Sequence, residues 1–349
     1  MTAGSDLDVA AVCAWVDGAL PGLEADSAPL IQVSKFAGGQ SNPTYRLETP
    51  AGAYVLRRKP PGALLKSAHA VDREFRVQRA LAGSAVPVAP VHVLCEDDAV
   101  IGAMFYIMDH VPGDNYDDPT LPGLSPAQRG AIIGDMGRVL AALHDVDVAA
   151  VGLSDYGPEG NYFERQLSRW ARQYRASETE PVADMDALME ALAARLPADD
   201  GQRRLVHGDY RLDNLIFGPQ GVRAVLDWEL STLGHPYADL GAVLMQWQMP
   251  QGKTGRGLMG ADRAALGLPS DAAFVQAYCQ RRGLEGIKDL GFYVSFAYFR
   301  MAAILQGVKK RALDGNASNP EHGLRLGAYV PLFAAGGVRA LSAGDVWDG

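Results

Sequence analysis

The sequence predicts an α+β chain in two lobes: a small N-terminal lobe built on an antiparallel sheet with one main helix, and a larger, mostly helical C-terminal lobe. Three observations predict it. Residues 31–59 read as short strands separated by turn formers; from Pro112 onward apolar residues recur at helical spacing; and the change of texture falls at Val111–Gly113, which divides the chain into 1–111 and 112–349.

The elements follow in order. After a short leading helix come strands at Ile31–Phe36, Thr44–Glu48 and Ala53–Arg58. Their connections, Gly38-Gly39-Gln40-Ser41-Asn42-Pro43 and Thr49-Pro50-Ala51-Gly52, are rich in turn residues, so the three form a meander. "HAVDREFRVQRALAG" spaces Val71, Phe75, Val77 and Leu81 as a helix that stops at Gly83, and "APVHVLCED" and "AVIGAMFYIMDHV" read as two further strands. In the second lobe "SPAQRGAIIGDMGRVLAALHDVD" opens with Ser125 as N-cap and Pro126 in the first helical position. "FERQLSRWARQYRAS", "DMDALMEALAARLP", "SDAAFVQAYCQRRG" and "LGFYVSFAYFRMAAILQGVKKRALDG" read as more helices, with short apolar strands in "LVHGDYRLDNLIFG" and "GVRAVLDWEL".

Composition narrows the function classes. The chain has 349 residues, 48% of them hydrophobic, enough for a large core. A formal charge of −9 argues against a nucleic-acid partner, though not against a buried phosphate pocket. Cys13, Cys95 and Cys279 are far apart and form no metal or redox motif, which suits reduced core residues of a cytoplasmic protein. The first residues lack the basic start and apolar stretch of a signal peptide, and no uncharged apolar run of about 18 residues occurs, so no membrane partner is expected.

The polar density of "LVHGDYRLDNLIFG" is the strongest chemical signal. Asp209 and Asn214 stand five apart, His207 precedes the aspartate by two, and a second carboxylate, Asp227, follows the apolar run "VRAVL". Phosphoryl transfer to a hydroxyl needs a positioned acceptor, a carboxylate to receive its proton and a divalent metal to screen the phosphates. Magnesium takes hard oxygen ligands and keeps several waters, so a carboxylate and an amide carbonyl suffice as the protein's share of its shell.

"HGDYRLDN" followed by "LDWE" resembles the aminoglycoside phosphotransferase family, a branch of the protein-kinase-like fold, and the similarity runs from about Ile31 to Leu244. The resemblance implies Asp209 as catalytic base, Asn214 and Asp227 as magnesium ligands, Glu229 at a second metal, and His207 shaping the catalytic loop. It implies ATP or GTP as phosphoryl donor with Mg²⁺, and a small-molecule hydroxyl as acceptor. Arg211 stands where protein kinases carry a lysine; it either stabilises the transferred phosphoryl group or partners Asp213. Asp239 in "GHPYADLG" matches the family's aspartate at a helix start, accepting backbone N–H groups.

On the nucleotide side, the resemblance places Gly39, Gln40, Ser41 and Asn42 in the phosphate loop, although the stretch lacks the spacing of a kinase glycine loop. The cation of the third strand is Arg57, which shares a face with Val55 by strand alternation; a one-residue slip would select Arg58. Glu74 is its candidate ion-pair partner, Met108 backs the adenine pocket, and the backbone from Asp109 to Val111 would bind the base.

On the acceptor side, Tyr162, Phe163, Arg165, Arg169, Trp170, Arg172, Tyr174 and Arg175, with Arg300 from a later aromatic stretch, mix aromatic and basic character, whereas the acidic residues expected around an aminoglycoside are few. "YVLRRKPPG", "GNYF" and "DWELSTLGHPYADLG" look like the branch whose relatives are fused to acyl-CoA dehydrogenases, which suggests a hydroxyacyl thioester as acceptor. Two other readings share the motif set: a nucleotide-binding pseudokinase, and a metal-dependent phosphohydrolase.

Overall fold

A computed structural model describes residues 7–36, 42–60, 70–317 and 319–344. In chain order the elements are α1 (Val9–Val16), β1 (Gln32–Lys35), β2 (Thr44–Thr49), β3 (Gly52–Arg58), α2 (Val71–Leu81), β4 (Val91–Cys95), β5 (Phe105–Asp109), α3 (Pro126–His144), α4 (Tyr162–Ser177), α5 (Ala183–Ala194) and β6 (Arg204–Val206). Then come β7 (Leu215–Gly218), β8 (Gly221–Val225), β9 (Thr232–Gly234), α6 (Tyr237–Trp247), the single turns α7 (Gly252–Gly255) and α8 (Arg263–Leu266), α9 (Asp271–Arg281), α10 (Leu290–Leu313), α11 (Pro320–Gly327) and α12 (Val330–Ala343).

Two compact units result. The first takes the chain up to Asn115 together with Val151–Leu153 and Asn214–Ser231; the second holds Tyr116–Ala150, Ser154–Asp213 and everything from Thr232. The change of texture at Val111–Gly113 lies close to the crossing at Asn115. No composition shift announces the return of Asn214–Ser231.

In the first unit five strands form an antiparallel sheet in the order β1-β2-β3-β5-β4. Alternation gives it two faces. One packs Tyr45, Leu47, Leu56 and Ile107 against Val12, Cys13 and Val16 of α1, and the other packs Val55 and Met108 against Val71 and Phe75 of α2. The expected strand beginning at Ala99 starts instead at Phe105, because residues 98–103 turn; Val100 and Ile101 are apolar to cover the core, not to pair. The β7–β8 hairpin joins this unit through backbone bonds between Asp114 and Phe217 in both directions, 2.8 Å each. Gly113 permits that approach, since a Cβ there would lie 2.3 Å from the Phe217 carbonyl oxygen.

In the second unit α3 begins as its sequence requires. Ser125 and Gln128 form a reciprocal capping box, with Pro126 in the first turn. The long apolar helix α10 is the hub, packed against α4, α6, α11 and α12. Pro320–Ala343 is the one stretch among the described residues long and apolar enough to cross a membrane, and it packs along α10. All three cysteines are buried free thiols.

Candidate active site

The chain passes from the second unit into the first between Asp213 and Asn214, so the motif's two flanking strands, β6 and β7, belong to different two-stranded ladders. In the second unit the loop after β6 is held by Asp239. This residue lies in the first turn of α6, where Pro236 takes the cap position, and its buried carboxylate accepts the amide hydrogens of His207 at 2.7 Å and Gly208 at 2.8 Å. Gly208 has φ +84°, a left-handed conformation that a side chain would strain. The buried His207 accepts the Asp209 amide at Nδ1, 3.2 Å, and the Tyr210 hydroxyl donates to the Met136 carbonyl of α3 at 2.8 Å. With its backbone fixed on both sides, Asp209 turns a partly exposed carboxylate outward.

Behind Asp239 stands His144, the last residue of α3, fully buried, with Nε2 at 3.3 Å from Asp239 and Nδ1 at 2.7 Å from the Tyr278 hydroxyl. Burial lowers the His144 pKa, with the Asp239 charge opposing it. For Asp239 burial acts upward, yet the hydrogen bond to His144, the nearby imidazoles and the His207 amide hold it below its ordinary range. The two directions describe a neutral imidazole donating to an ionised carboxylate. His144 carries no sequence signal beyond being a histidine on a buried helix face.

Arg211 lies between two carboxylates, its Nε 3.2 Å from Asp209 Oδ1 and Nη2 3.3 Å from Asp213 Oδ2. The same Asp213 oxygen receives a hydrogen bond from Arg256 Nη1 at 2.7 Å. Arg256, absent from the residues expected from sequence, has φ +51° between two glycines whose Cβ atoms would strike the carbonyl oxygens of Pro250 and Met249. The repeated glycines of "GKTGRG" were its only trace in the sequence.

In the first unit the sheet alternation that groups Val55 with Arg57 sets a buried cation among carboxylates. Arg57 Nε meets Glu74 at 2.8 Å, and its Nη2 meets Asp227 at 2.6 Å and Glu229 at 3.8 Å. Arg58 points to the opposite face, over the Tyr45 ring at 5.4 Å, and Lys59 stands 3.9 Å from Asp72. Asn42, expected among the phosphate-loop residues, is buried; its side-chain amide donates to Glu74 at 2.8 Å and to Glu229 at 3.4 Å. Gly39, Gln40 and Ser41 lie outside the described residues. Burial outweighs Arg57 and pushes the Glu74 carboxyl up to about 7, with Asp227 and Glu229 adding to the rise. Arg57 itself is raised: burial opposes its charge, and Glu74 and the other anionic neighbours more than compensate.

The β7–β8 ladder pairs Leu215 with Val225, and the Leu226 amide donates to the Asn214 carbonyl at 2.8 Å, which brings Asn214 and Asp227 to the open end of the hairpin. Asp227 has φ +62° and ψ +61°, a left-handed backbone. Asn214, Asp227 and Glu229 thus offer oxygen donors, and the two carboxylates among them, with Glu74, surround the one guanidinium of Arg57. A divalent hard cation fits this set, because it would neutralise the surplus negative charge. Among the described residues no group of three or more His, Cys, Asp or Glu forms a closed metal cage.

Met108 is buried in the sheet face that carries Val55 and Tyr106. The Asp109 amide donates to Pro90 and the His110 amide to Ala53, so the sheet already uses two of the amides expected to bind a base; Val111, next in the chain, lies outside β5.

A five-stranded antiparallel lobe with α1 on one face and α2 on the other, a mostly helical second unit and this loop define a protein-kinase-like fold. The chain belongs to the phosphotransferase enzyme family (APH), whose profile matches residues 32–290. It is 46% identical over 292 residues to acyl-CoA dehydrogenase family member 10 of Mus musculus, covering 83% of this chain and 27% of that protein. The chain spans less than half the length of the curated relatives it matches. A crystal structure from Ralstonia eutropha JMP134, described as a candidate aminoglycoside phosphotransferase, matches with TM-score 0.86 and 46% identity over 97% of this chain and all of that one. A mutant of aminoglycoside phosphotransferase APH(4)-Ia in complex with ADP and hygromycin B matches with TM-score 0.60 and 16% identity over 89% of this chain and 94% of that one, a likeness of fold.

Proposed function

We propose that the protein is a magnesium-dependent small-molecule kinase that transfers the γ-phosphoryl group of ATP to a hydroxyl of a hydroxyacyl thioester. The observation that carries this reading is the Arg57 cluster: one buried guanidinium tied to Glu74 and to Asp227, with Glu229 beside it and Asn214 at the same hairpin end. A phosphohydrolase built on histidine ligands has no use for such a pair.

Each side chain has a task on this reading. Asp209 receives the proton of the acceptor hydroxyl as its oxygen bonds to the γ-phosphorus and ADP departs with the bond electrons. His207 and Asp239 fix the backbone that aims Asp209, and Arg211 offers positive charge to the phosphoryl oxygens. Arg57, held by Glu74, faces the α- and β-phosphates with a fork suited to two oxygens. Asn214, Asp227 and Glu229 would hold Mg²⁺, which screens the charge of the phosphates when bound. Support for a thioester acceptor comes from the relatives named acyl-CoA dehydrogenase family members, and from the scarcity of acidic residues in the helix α4 segment.

The deciding experiment incubates the purified chain with γ-labelled ATP, Mg²⁺ and a panel of hydroxyacyl-CoA thioesters, with hygromycin B and ethanolamine alongside and GTP as alternative donor. Labelled acyl-CoA is the expected product. Transfer to none of the panel, with tight nucleotide binding intact, would replace the kinase by a nucleotide-binding module.

A further inference from the structure

Helix α4 is amphipathic in an uneven way. Phe163, Leu167 and Tyr174 turn inward at helical spacing, and Trp170 continues their stripe only half-buried. Beside them Arg165, Arg169 and Arg172 recur at intervals of four and three, one basic edge of the helix. From α10, which packs against α4, Arg300 joins them.

The guanidinium carbons of Arg169 and Arg300 lie 5.4 and 5.8 Å from the centroid of the same Trp170 indole. Neither makes an ion pair with a carboxylate among the described residues, whereas Arg57, Arg138, Arg175, Arg195, Arg211, Arg256, Arg263 and Arg282 all do. Arg165 donates to the carbonyls of Pro158, Glu159 and Gly160, and Arg172 to the Ser168 hydroxyl, so these bonds bring no negative charge to the edge. In a chain with a net charge of −9 and 41 acidic residues, two cations converging on one ring without a counter-charge stand out. The indole attracts each, but their mutual repulsion remains for an anion to relieve.

Position ties this edge to the catalytic loop. Tyr162, at the start of α4, packs its ring on Gly234, where a Cβ would lie 2.6 Å from the ring. Burial raises the Tyr162 hydroxyl, Arg300, Arg165 and Arg169 pull it down, and Asp239 pushes it up, so its surroundings include the basic edge and the loop's clamp.

We propose that Arg169, Trp170 and Arg300 form a subsite for the phosphorylated nucleotide end of a coenzyme A thioester. Two guanidinium forks fit phosphate oxygens, and the indole between them offers a flat face to a purine. The inference rests on the thioester reading above and adds the residues that select the acceptor. It places no demand on the chemistry at Asp209.

Calorimetry tests it without ATP or metal, using the whole chain and coenzyme A, pantetheine, ADP and 3′,5′-ADP as probes. The expected result is binding of coenzyme A and 3′,5′-ADP that weakens at least tenfold in Arg169→Gln/Arg300→Gln and falls with added salt, while pantetheine binds far more weakly and ADP, which the nucleotide site takes, binds equally to wild type and double variant. Trp170→Phe retains part of the affinity and Trp170→Ala loses more. Equal coenzyme A affinity in wild type and double variant, no binding of coenzyme A by the wild type, or a loss of ADP affinity in the double variant as large as that of 3′,5′-ADP each overturns it. Unfolding midpoints check that the variants are folded, and Arg169→Lys/Arg300→Lys, which keeps both charges, should bind better than the glutamine pair. A folded double variant with unchanged KM for hydroxyacyl-CoA sinks the subsite and leaves the kinase standing; Arg-dependent coenzyme A binding without any phosphoryl transfer does the reverse.

Discussion

Arg256 and Asp213, 43 positions apart in the chain, meet at 2.7 Å, on the same carboxylate oxygen that Arg211 approaches at 3.3 Å. The second guanidinium shares the charge of Asp213, and Arg211 remains 3.2 Å from Asp209. Removing it leaves Asp213 to compete for Arg211. Arg256→Ala should therefore lower kcat about tenfold with little change in nucleotide KM. Adding Asp213→Asn removes the competitor and should restore most of the loss, so steady-state kinetics of the four proteins in the cycle decide the matter. A double variant as slow as Arg256→Ala would refute the competition.

The two aspartates assigned to chemistry should fail differently. Asp209→Asn is expected to reduce turnover by roughly a thousandfold with nucleotide affinity near wild type, since on the proposed mechanism Asp209 acts on the acceptor. Asp227→Asn should weaken binding of Mg-ATP as well, and titrating nucleotide with and without Mg²⁺ separates the two. Retention of most activity in Asp209→Asn would remove it from the reaction.

Glu74 makes stability depend on pH. Its carboxyl is raised to about 7 from an ordinary 4.5, so between those values the folded chain holds a proton that the unfolded chain has lost. The contribution is complete below about 4.5 and disappears as pH rises through 7. In metal-free buffer Glu74→Gln should match the wild type near pH 5 and gain on it by pH 8, by about 2–4 kcal/mol at most. Urea midpoints across that range test the sign, and a gap that narrows with rising pH contradicts it.

Asp239 is buried, with two amides and an imidazole on its carboxylate. Asp239→Ala leaves all three without an acceptor and should cost about 3–5 kcal/mol, whereas Asp239→Asn, which keeps one carbonyl oxygen, should cost less. Denaturant unfolding of the two variants gives the ranking.

Much of this was readable because it is local. The Ser125-Pro126 start of α3 and the period of two that puts Val55 and Arg57 on one face depend on neighbours in sequence, and the spacing of His207, Asp209 and Asn214 belongs to one loop. Asp239 was legible as an acceptor of backbone N–H groups. Its donors, His207 and Gly208, lie outside its own helix, so helix-start rules could not name them. Asn42 was read from its turn composition, but its side chain is set by Glu74, 32 residues away. Arg256 was invisible for the same reason, since a glycine-rich loop acquires meaning only through what it returns to. The apolar "AVIG" run misled because covering a core and pairing in a sheet demand the same residue types.

The backbone at Asp227 also bears on descent. Asparagine enters the left-handed region as readily as aspartate, and a single nucleotide change separates their codons. The substitution that removes the charge proposed to hold the metal is therefore among the easiest for this position to accept while the hairpin keeps its shape. Lineages under relaxed selection can pass through it into folded, expressed and silent proteins, so a descendant of this scaffold can persist long after its chemistry has gone.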